Sequence, residues 1–258
     1  MKKFTTLLII SFVFVSSATL SAQVVENALE NTLLKPNIVK FNLTGPVIGY
    51  YTIGYERVIN PKQSTGITIS FAPNVDLPFK NTLLDIFGDN DEAVTAINST
   101  TFTNFSLMPE YRFYFGVKGA PFGFYAASFL KYTHMTHSQV YQFTSTAGVV
   151  HTPLIETSFN GFGAGELIGI QWQIGKSMTL DWWILGPFVG VLNGKSHGID
   201  DMSDMDAQDR ADLEADIEGV PIPGWTIDAT VAEGTIDVDL GGLFFGTRIF
   251  GLNLGVRF

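Results

Sequence analysis

The stretch Arg248–Phe258, which reads R-I-F-G-L-N-L-G-V-R-F, decides the fold that this chain is predicted to adopt. At every second residue, one side of the stretch is apolar and carries Phe250, Leu252, Leu254, Val256 and Phe258. The other side is mostly small or polar and carries Ile249, Gly251, Asn253, Gly255 and Arg257. Successive side chains of a β-strand point to opposite faces of its sheet, so a period of two residues indicates a strand. The stretch therefore predicts a strand with one apolar face.

The composition of the chain limits its class. It has 258 residues, with 22 Phe, 26 Gly, no Cys and only 16% charged residues. That length fits one domain of sandwich or barrel size, or two small domains. The lack of cysteine excludes disulfides, thiolate metal sites, a cysteine nucleophile and a lipid-modified cysteine. The formal net charge of −10 excludes the basic surface that a nucleic-acid partner would need.

The N-terminal residues have the pattern of a secretory signal peptide. Lys2 and Lys3 precede an apolar run, Leu7–Val15, which is followed by small and hydroxyl-bearing residues. We expect a signal peptide at residues 1–22 and a periplasmic tether at residues 23–36. No stretch approaches the ~18 consecutive apolar residues of a transmembrane helix, so a membrane location would require a closed β-barrel.

The two-residue alternation returns in further segments from Asn37 to Val191 and predicts eight strands in all. The connections after the second, fourth and sixth predicted strands are tight turns, whereas those after the third, fifth and seventh are long and polar. Outer-membrane barrels have both termini and short turns on the periplasmic side and long loops at the cell surface. The predicted fold is therefore all-β, an eight-stranded antiparallel transmembrane up-and-down β-barrel with long extracellular loops and a short N-terminal helical tether. It spans residues 37–258 and contains an acidic loop insertion at residues 193–246.

Several short motifs resemble a family of small outer-membrane β-barrel proteins of Bacteroidota. They are Lys40–Leu43, Gly54–Arg57, Pro109–Tyr114, Gly123–Tyr125 and Gly169–Trp172. The resemblance covers about residues 37–191 and the terminal strand, and it implies a barrel in the cell outer membrane. The family brings no established activity, so the resemblance implies no catalytic residue and no cofactor.

The aromatic end of the terminal strand resembles the closing strand of bacterial outer-membrane barrels. In those proteins, an apolar face that ends on a carboxy-terminal Phe is part of the signal that the assembly machinery reads. The resemblance implies that Leu254, Val256 and Phe258 form an assembly signal, with that machinery as a partner.

Charged residues that can be phased to the inner face predict an interior charge network. An eight-stranded barrel has an interior just wide enough for side chains to fill, so opposite charges there should pair with one another. The predicted network consists of Lys40, Glu56, Glu110, Arg112, Lys131, Asp181 and Arg257. A narrow pore that conducts protons or ions is the alternative interpretation.

His134, His137 and Ser138 are the residues that bear on catalysis. A barrel that modifies lipid A or phospholipid needs a His, a hydroxyl and an acid together. His137 and Ser138 are neighbours that point to opposite faces of a strand, and His134 and Ser138 are ~13 Å apart. A zinc site at His134 and His137 lacks an evident third ligand. We therefore predict no catalytic, cofactor-binding or metal-binding residue, with the lipid-modifying enzyme as an alternative.

The segment 199–218 is strongly acidic. Its acidic residues are Asp200, Asp201, Asp204, Asp206, Asp209, Asp212, Glu214, Asp216 and Glu218. The segment lacks the turn glycine and the spaced terminal glutamate of an EF-hand calcium loop. The pattern favours a solvated helix from about Ala207 to Ile217. Binding of divalent cations that bridge to anionic lipid is the alternative.

The sequence predicts a non-enzymatic protein of the cell outer membrane with a structural or surface-interaction role. Its expected partners are outer-membrane lipid and lipopolysaccharide, the assembly machinery, and a surface ligand or envelope protein. A secreted soluble barrel that carries a lipophilic ligand inside is a further alternative. That alternative requires the apolar face of Phe250–Phe258 to point inward.

Overall fold

A computed structural model describes residues 35–77, 80–87 and 91–258 of the chain. The predicted signal peptide, residues 1–22, and residues 23–34 of the predicted tether lie outside the described residues. The described part of the chain is all-β, as predicted, with a few short helices. None of these helices is long and apolar enough to cross a membrane.

The secondary-structure elements are numbered in chain order. The strands are β1 (Asn37–Asn42), β2 (Tyr51–Asn60), β3 (Gln63–Asp76), β4 (Thr101–Phe115), β5 (Gly123–Val140), β6 (Phe143–Thr144), β7 (Val150–His151), β8 (Leu154–Ile174), β9 (Met178–Ile199), β10 (Trp225–Val231) and β11 (Thr235–Arg257). The α-helices are α1 (Lys80–Phe87), α2 (Asp91–Ser99) and α3 (Ala207–Glu218). A short 3-10 helix, Gly45–Ile48, connects β1 and β2.

Nine of the strands form one antiparallel sheet that closes into a ring. The strand order is β1-β2-β3-β4-β5-β8-β9-β11-β10, and β1 pairs back to β11. In this closing pair, Val39 lies opposite Val256 and Phe41 lies opposite Leu254. Eight strands therefore complete the ring, and β10 continues the sheet beside the N-terminal half of β11. These eight strands are the ones that the sequence predicts.

The connections at the two ends of the ring differ in length. Short turns join β2 to β3, β4 to β5 and β8 to β9 at one end, which we call the turn end. Asn37 and Phe258 meet at this end, where the Asn37 backbone N–H donates to the Phe258 oxygen at 3.2 Å. The described residues between β3 and β4, which are 77, 80–87 and 91–100, lie at the other end with the segments 141–153 and 200–234, and we call this end the loop end. This alternation of short and long connections matches the prediction.

The strands of the ring grow in length around its circumference. β1 has 6 residues, β4 has 15, β8 has 21 and β11 has 23. The longer strands consequently extend beyond the ring at the loop end. What we call the projecting sheet consists of β10 and of residues 133–140 of β5, 154–161 of β8, 192–199 of β9 and 235–242 of β11.

The segment 193–246 is not the loop insertion that the sequence predicts. β9 continues to Ile199, β11 begins at Thr235, and the two strands pair along this whole length. The two-residue period persists there, but the buried positions of β9 are Gly194, Ser196 and Gly198. Because small residues occupy one face, no apolar pattern marks these residues as strand in the sequence.

The polarity of the sheet faces inverts between the ring and the projecting sheet. In the ring, Ile53 is exposed on the outside and Glu56 is buried inside. In the projecting sheet, Val238 is buried and Asp239 is exposed. β11 is therefore apolar on the outside in its ring part and apolar on the inside in its projecting part.

The outward apolar side chains of the ring form what we call the outer belt. Every ring strand contributes to it, with members that include Phe41, Ile53, Ile69, Phe113, Phe124, Leu130, Phe162, Ile168, Trp182, Val189, Ile249 and Val256. Ser128 and Glu166 form a polar pair within the belt, with a hydrogen bond of 2.8 Å. An apolar outside and a polar inside are the reverse of the arrangement in a soluble protein.

Buried apolar side chains form two separate cores. The ring core consists of Val58, Tyr114, Ala120, Tyr125, Ala127, Phe129, Leu167, Trp183 and Phe188. The projecting core packs between the projecting sheet and α3 and consists of Met202, Met205, Leu213, Ala229, Val231, Ile236 and Val238. No residue belongs to both cores.

Gly190 tests the close approach of β8 and β9. A Cβ atom at Gly190 would lie 2.0 Å from the Phe162 oxygen and 2.5 Å from the Gly163 Cα, and neither backbone atom can move without separating the strands. We expect Gly190→Ala to lower the free energy of unfolding by at least ~1–3 kcal/mol, measured by urea titration of tryptophan fluorescence. Gly234→Ala is the control, because a Cβ atom there would meet nothing within 4 Å. Equal effects of the two substitutions would contradict the strand geometry.

Candidate functional site

Five of the predicted interior residues lie together in one buried ion network. The Lys40 ammonium is 2.5 Å from Glu56 Oε2 and 2.7 Å from Asp181 Oδ2. Arg112 donates from Nη1 to the same Asp181 oxygen at 2.9 Å, and it holds Glu110 Oε1 with Nε and Nη2. None of these side chains is more than 5% exposed. The ring interior therefore contains alternating charges at ion-pair distance.

Neutral side chains complete the coordination of the carboxylates. Tyr114 and Ser64 both donate to Glu56 Oε1, at 2.6 and 2.5 Å. Tyr125 donates to Asp181 Oδ1 at 2.7 Å. Gln171 accepts from Lys40 at 2.6 Å. Sequence reasoning missed these residues, since a neutral polar side chain carries no charge that demands a partner.

Arg248 is a further member of the network that the sequence did not predict. Its Nη1 donates to Glu110 Oε2 at 3.1 Å, and its guanidinium lies 4.1 Å from the Trp183 ring centroid and 4.9 Å from that of Phe129. A regular strand would point Arg248 outward, on the same side as Phe250. Phe250 has a φ of 54° and lies outside the β9–β11 register, so the strand changes phase there and Arg248 turns inward.

Lys131 and Arg257 lie apart from this network. The Lys131 ammonium is 4.5 Å from the Phe188 ring centroid and 5.6 Å from that of Phe244. Arg257 lies at the turn end, where it donates to the Lys35 oxygen at 3.2 Å. Among the described residues, neither cation is ion-paired with a carboxylate. The prediction of seven charges in one network is therefore wrong for these two residues.

The ring interior is filled at the level of the ion network and open above it. Beside Lys40, Glu56 and Arg112, the cavity that water could enter has a volume of only about 10 Å³, which is roughly what one water molecule needs. Towards the loop end lies a cavity of about 440 Å³ that we call the mouth cavity. Its lining includes Thr52, Ser70, Asn104, Ser106, Lys131 and Arg248. The ion network thus forms a plug, and the mouth cavity is the space above it.

The two histidines of β5, His134 and His137, have different surroundings. His134 Nδ1 lies 3.0 Å from Asn160 Oδ1 on the outer surface. His137 lines a cavity of about 280 Å³ between the projecting sheet and α3, with Ile155, Ile217 and Val238 among its apolar neighbours. Within the described part of the chain, no carboxylate contacts either His134 or His137. His134 therefore lies on the outer surface, whereas His137 lines the cavity beside α3.

A second polar cluster, around the buried side chain of His151, lies at the loop end. His151 Nδ1 is 3.0 Å from Asp200 Oδ2, and its Nε2 is 3.2 Å from Asp204 Oδ1. Ser145 donates to Asp204 at 2.6 Å, and this hydrogen bond, with the contact to His151, holds the pKa of Asp204 below its ordinary value. The serine is bonded to the carboxylate and not to the histidine, so the order of a catalytic triad is absent from this cluster. The cluster ties the β6–β7 hairpin to the segment that precedes α3.

The predicted acidic helix is confirmed as α3, Ala207–Glu218. Asp206 caps its N-terminus and accepts from the backbone N–H groups of Asp209 and Gln208, which lower the pKa of Asp206. Glu214 accepts from the Val231 N–H at 2.7 Å, and Glu218 accepts from the Ala229 N–H at 3.0 Å. These acids tie α3 to β10. In residues 35–77, 80–87 and 91–258, no three His, Asp or Glu side chains are placed to hold a metal ion.

Comparison of the chain with protein-family models, with curated proteins and with solved structures finds no match. The resemblance to the small outer-membrane barrels of Bacteroidota therefore stays a prediction that rests on the sequence motifs.

Asp181 tests the ion network. Asp181→Asn removes the charge that faces both Lys40 and Arg112, and a buried cation without its partner is strongly destabilising. We expect the free energy of unfolding to fall by ~3–5 kcal/mol, measured by urea titration. Asp239→Asn is the matched control, because its pair with Lys195 is 65% and 81% exposed and such pairs contribute ~0–1 kcal/mol. A small effect at Asp181 would mean that water reaches the network and solvates the unpaired cations.

Proposed function

We propose that this protein is an eight-stranded outer-membrane β-barrel with a plugged interior and a structural or surface-interaction role. The observation that carries the proposal is the outer belt around a closed ring whose interior holds a buried ion network beside the ring core. A lipid bilayer accepts only closed hydrogen-bonded structures, and a belt of apolar side chains is what its hydrocarbon core favours.

The position of polar groups supports the same placement. On β9, the outward residues change from Val189 and Val191 to Asn193 and Lys195, at the base of the projecting sheet. Lys195 then pairs with Asp239 on the outer surface at 2.6 Å. A strand segment of ~9–11 residues crosses a bilayer, so the ring parts of all strands except the 6-residue β1 suffice, and the projecting parts reach into water.

The orientation follows from the two ends of the ring. The start of β1, the end of β11 and the short turns lie at the turn end, as on the periplasmic side of outer-membrane barrels. The loop end then faces the cell exterior. It carries a folded unit, the projecting sheet with α3, whose own core gives it a fixed surface for contacts with a ligand, lipopolysaccharide or an envelope protein.

The rival functions have less support. A lipid-modifying enzyme needs a His, a hydroxyl and an acid together at the outer rim, and His134 contacts Asn160 instead. A pore needs a wetted path, whereas about 10 Å³ of space remains beside the ion network. A soluble carrier needs its apolar face inward, whereas Val256 and Phe258 are 52% and 56% exposed.

Membrane fractionation with a gel-mobility assay tests the location. We expect the protein in the outer-membrane fraction, and we expect unboiled protein to migrate differently from boiled protein because the closed ring resists detergent. We also expect Phe258→Ser to reduce the amount in that fraction, since the terminal Phe is the predicted assembly signal. Phe245→Ser is the control, an exposed aromatic on the same strand but away from its end. Soluble periplasmic protein without a mobility change would overturn the proposal.

Planar-bilayer recording tests the plug. We expect the purified protein to give no unitary conductance steps, because the ion network fills the ring interior. Glu56→Ala removes a carboxylate that touches Lys40 and leaves space beside it, so this variant should be leakier than the wild type. Steady openings of the wild-type protein would favour the pore instead.

A further inference from the structure

The charges inside the ring do not balance at the loop end. Within the ion network, three cations face three carboxylates: Lys40, Arg112 and Arg248 against Glu56, Glu110 and Asp181. Lys131 adds a positive charge that no carboxylate of the described chain contacts. Lys131 and Arg248 both line the mouth cavity, and no acidic residue does. In a chain of net charge −10, this cavity is locally positive.

Arg248 has unused hydrogen-bond donors. Its side chain is 7% exposed, Nη1 binds Glu110, and Nε and Nη2 are buried without an acceptor. These two groups lie on the same edge of a guanidinium, the edge with which Arg112 holds Glu110. An edge of this kind binds a carboxylate or a phosphate through two parallel hydrogen bonds. Protein atoms cover both donors, so an oxyanion in the mouth cavity reaches them only if the guanidinium turns toward it, and the cost of leaving them without an acceptor favours that turn.

Lys131 supplies a second cation. Its ammonium lies against the Phe188 and Phe244 rings, whose faces attract a cation. Unlike a carboxylate, the rings have no oxygen that could accept hydrogen bonds from the N–H groups of the ammonium. The rest of the lining includes the hydroxyl and amide groups of Ser70, Asn104 and Ser106, which suit a polar solute. The volume of about 440 Å³ lies within the ordinary range of small-molecule sites.

We propose that the mouth cavity binds a small organic oxyanion, a carboxylate or a phosphate ester, between Lys131 and Arg248. The proposal rests on the proposed function only for the direction from which the ligand arrives, because the loop end is taken to face the cell exterior. The cavity itself is a property of the folded ring.

Titration calorimetry on the purified protein in detergent micelles, at low ionic strength, tests this site. The probes are glucose 6-phosphate, glucuronate and glucose, which share a sugar ring and differ in their charged group. We expect saturable binding of a charged probe and none of glucose. Binding of glucose 6-phosphate alone would assign a phosphate, binding of glucuronate alone a carboxylate, and binding of both the shared oxyanion chemistry.

Variants connect the binding to the cavity. We expect Lys131→Gln to weaken binding by ~tenfold or more, because it removes one charge-assisted contact, and Lys131→Arg to retain binding. Lys195→Gln is the matched control, because Lys195 lies on the outer surface and pairs with Asp239. Unchanged gel mobility of each variant before boiling establishes that it folds.

Two results would overturn the inference. One is the absence of saturable binding by either charged probe, or equal binding of glucose. The other is a Lys131→Gln variant that folds and binds as tightly as Lys195→Gln. Neither result bears on membrane fractionation, so this inference and the proposed location fail independently.

Discussion

The backbone pairing of β1 with β11 is the interaction on which the rest of the structure depends. β1 has only 6 residues, yet its pairing closes the ring and leaves no unpaired edge there. Closure also brings Lys40, on β1, to Asp181 on β9, while Glu56 contacts Lys40 from the neighbouring strand β2. An open sheet would expose these charges to water and present the outer belt beside unpaired backbone. The polar interior and the apolar exterior are therefore both consequences of one short strand pair.

The ion network specifies the register of the strands more than it stabilises them. Moving charges out of water is costly, and their mutual attraction recovers that cost only when every group is well paired. Here the members come from β1, β2, β4, β9 and β11. A slip of one residue in any of these strands would turn a charged side chain into the outer belt. Other strand registers are thus excluded because each would place a charged side chain in the apolar outer belt, at a high cost in free energy.

The sequence predicts the ring well because every ring strand repeats one pattern, apolar outside and polar inside, over about its whole length. The same reasoning fails where that pattern stops. Arg248 was missed because the positive φ of Phe250 shifts the phase of β11, and a non-glycine residue gives no warning of such a change. In the projecting sheet, Gly194 and Gly198 hide the period of β9, whereas Ile236, Val238 and Leu240 of β11 alternate with acidic residues and carry a strand pattern that the acidic composition of the segment masks. The paired tyrosines Tyr114 and Tyr125 were missed because only geometry reveals an acceptor for them.

The division of the buried apolar residues into two cores has a consequence for how such a protein can change. The ring core and the projecting core share no residue, and effects of substitutions at distant, unconnected sites add independently. A substitution at Leu213 or Val231 is therefore felt within the projecting core, while the packing around Leu167 and Trp183 is preserved. Descendants of this chain can accordingly diversify the projecting sheet and keep the ring almost unaltered.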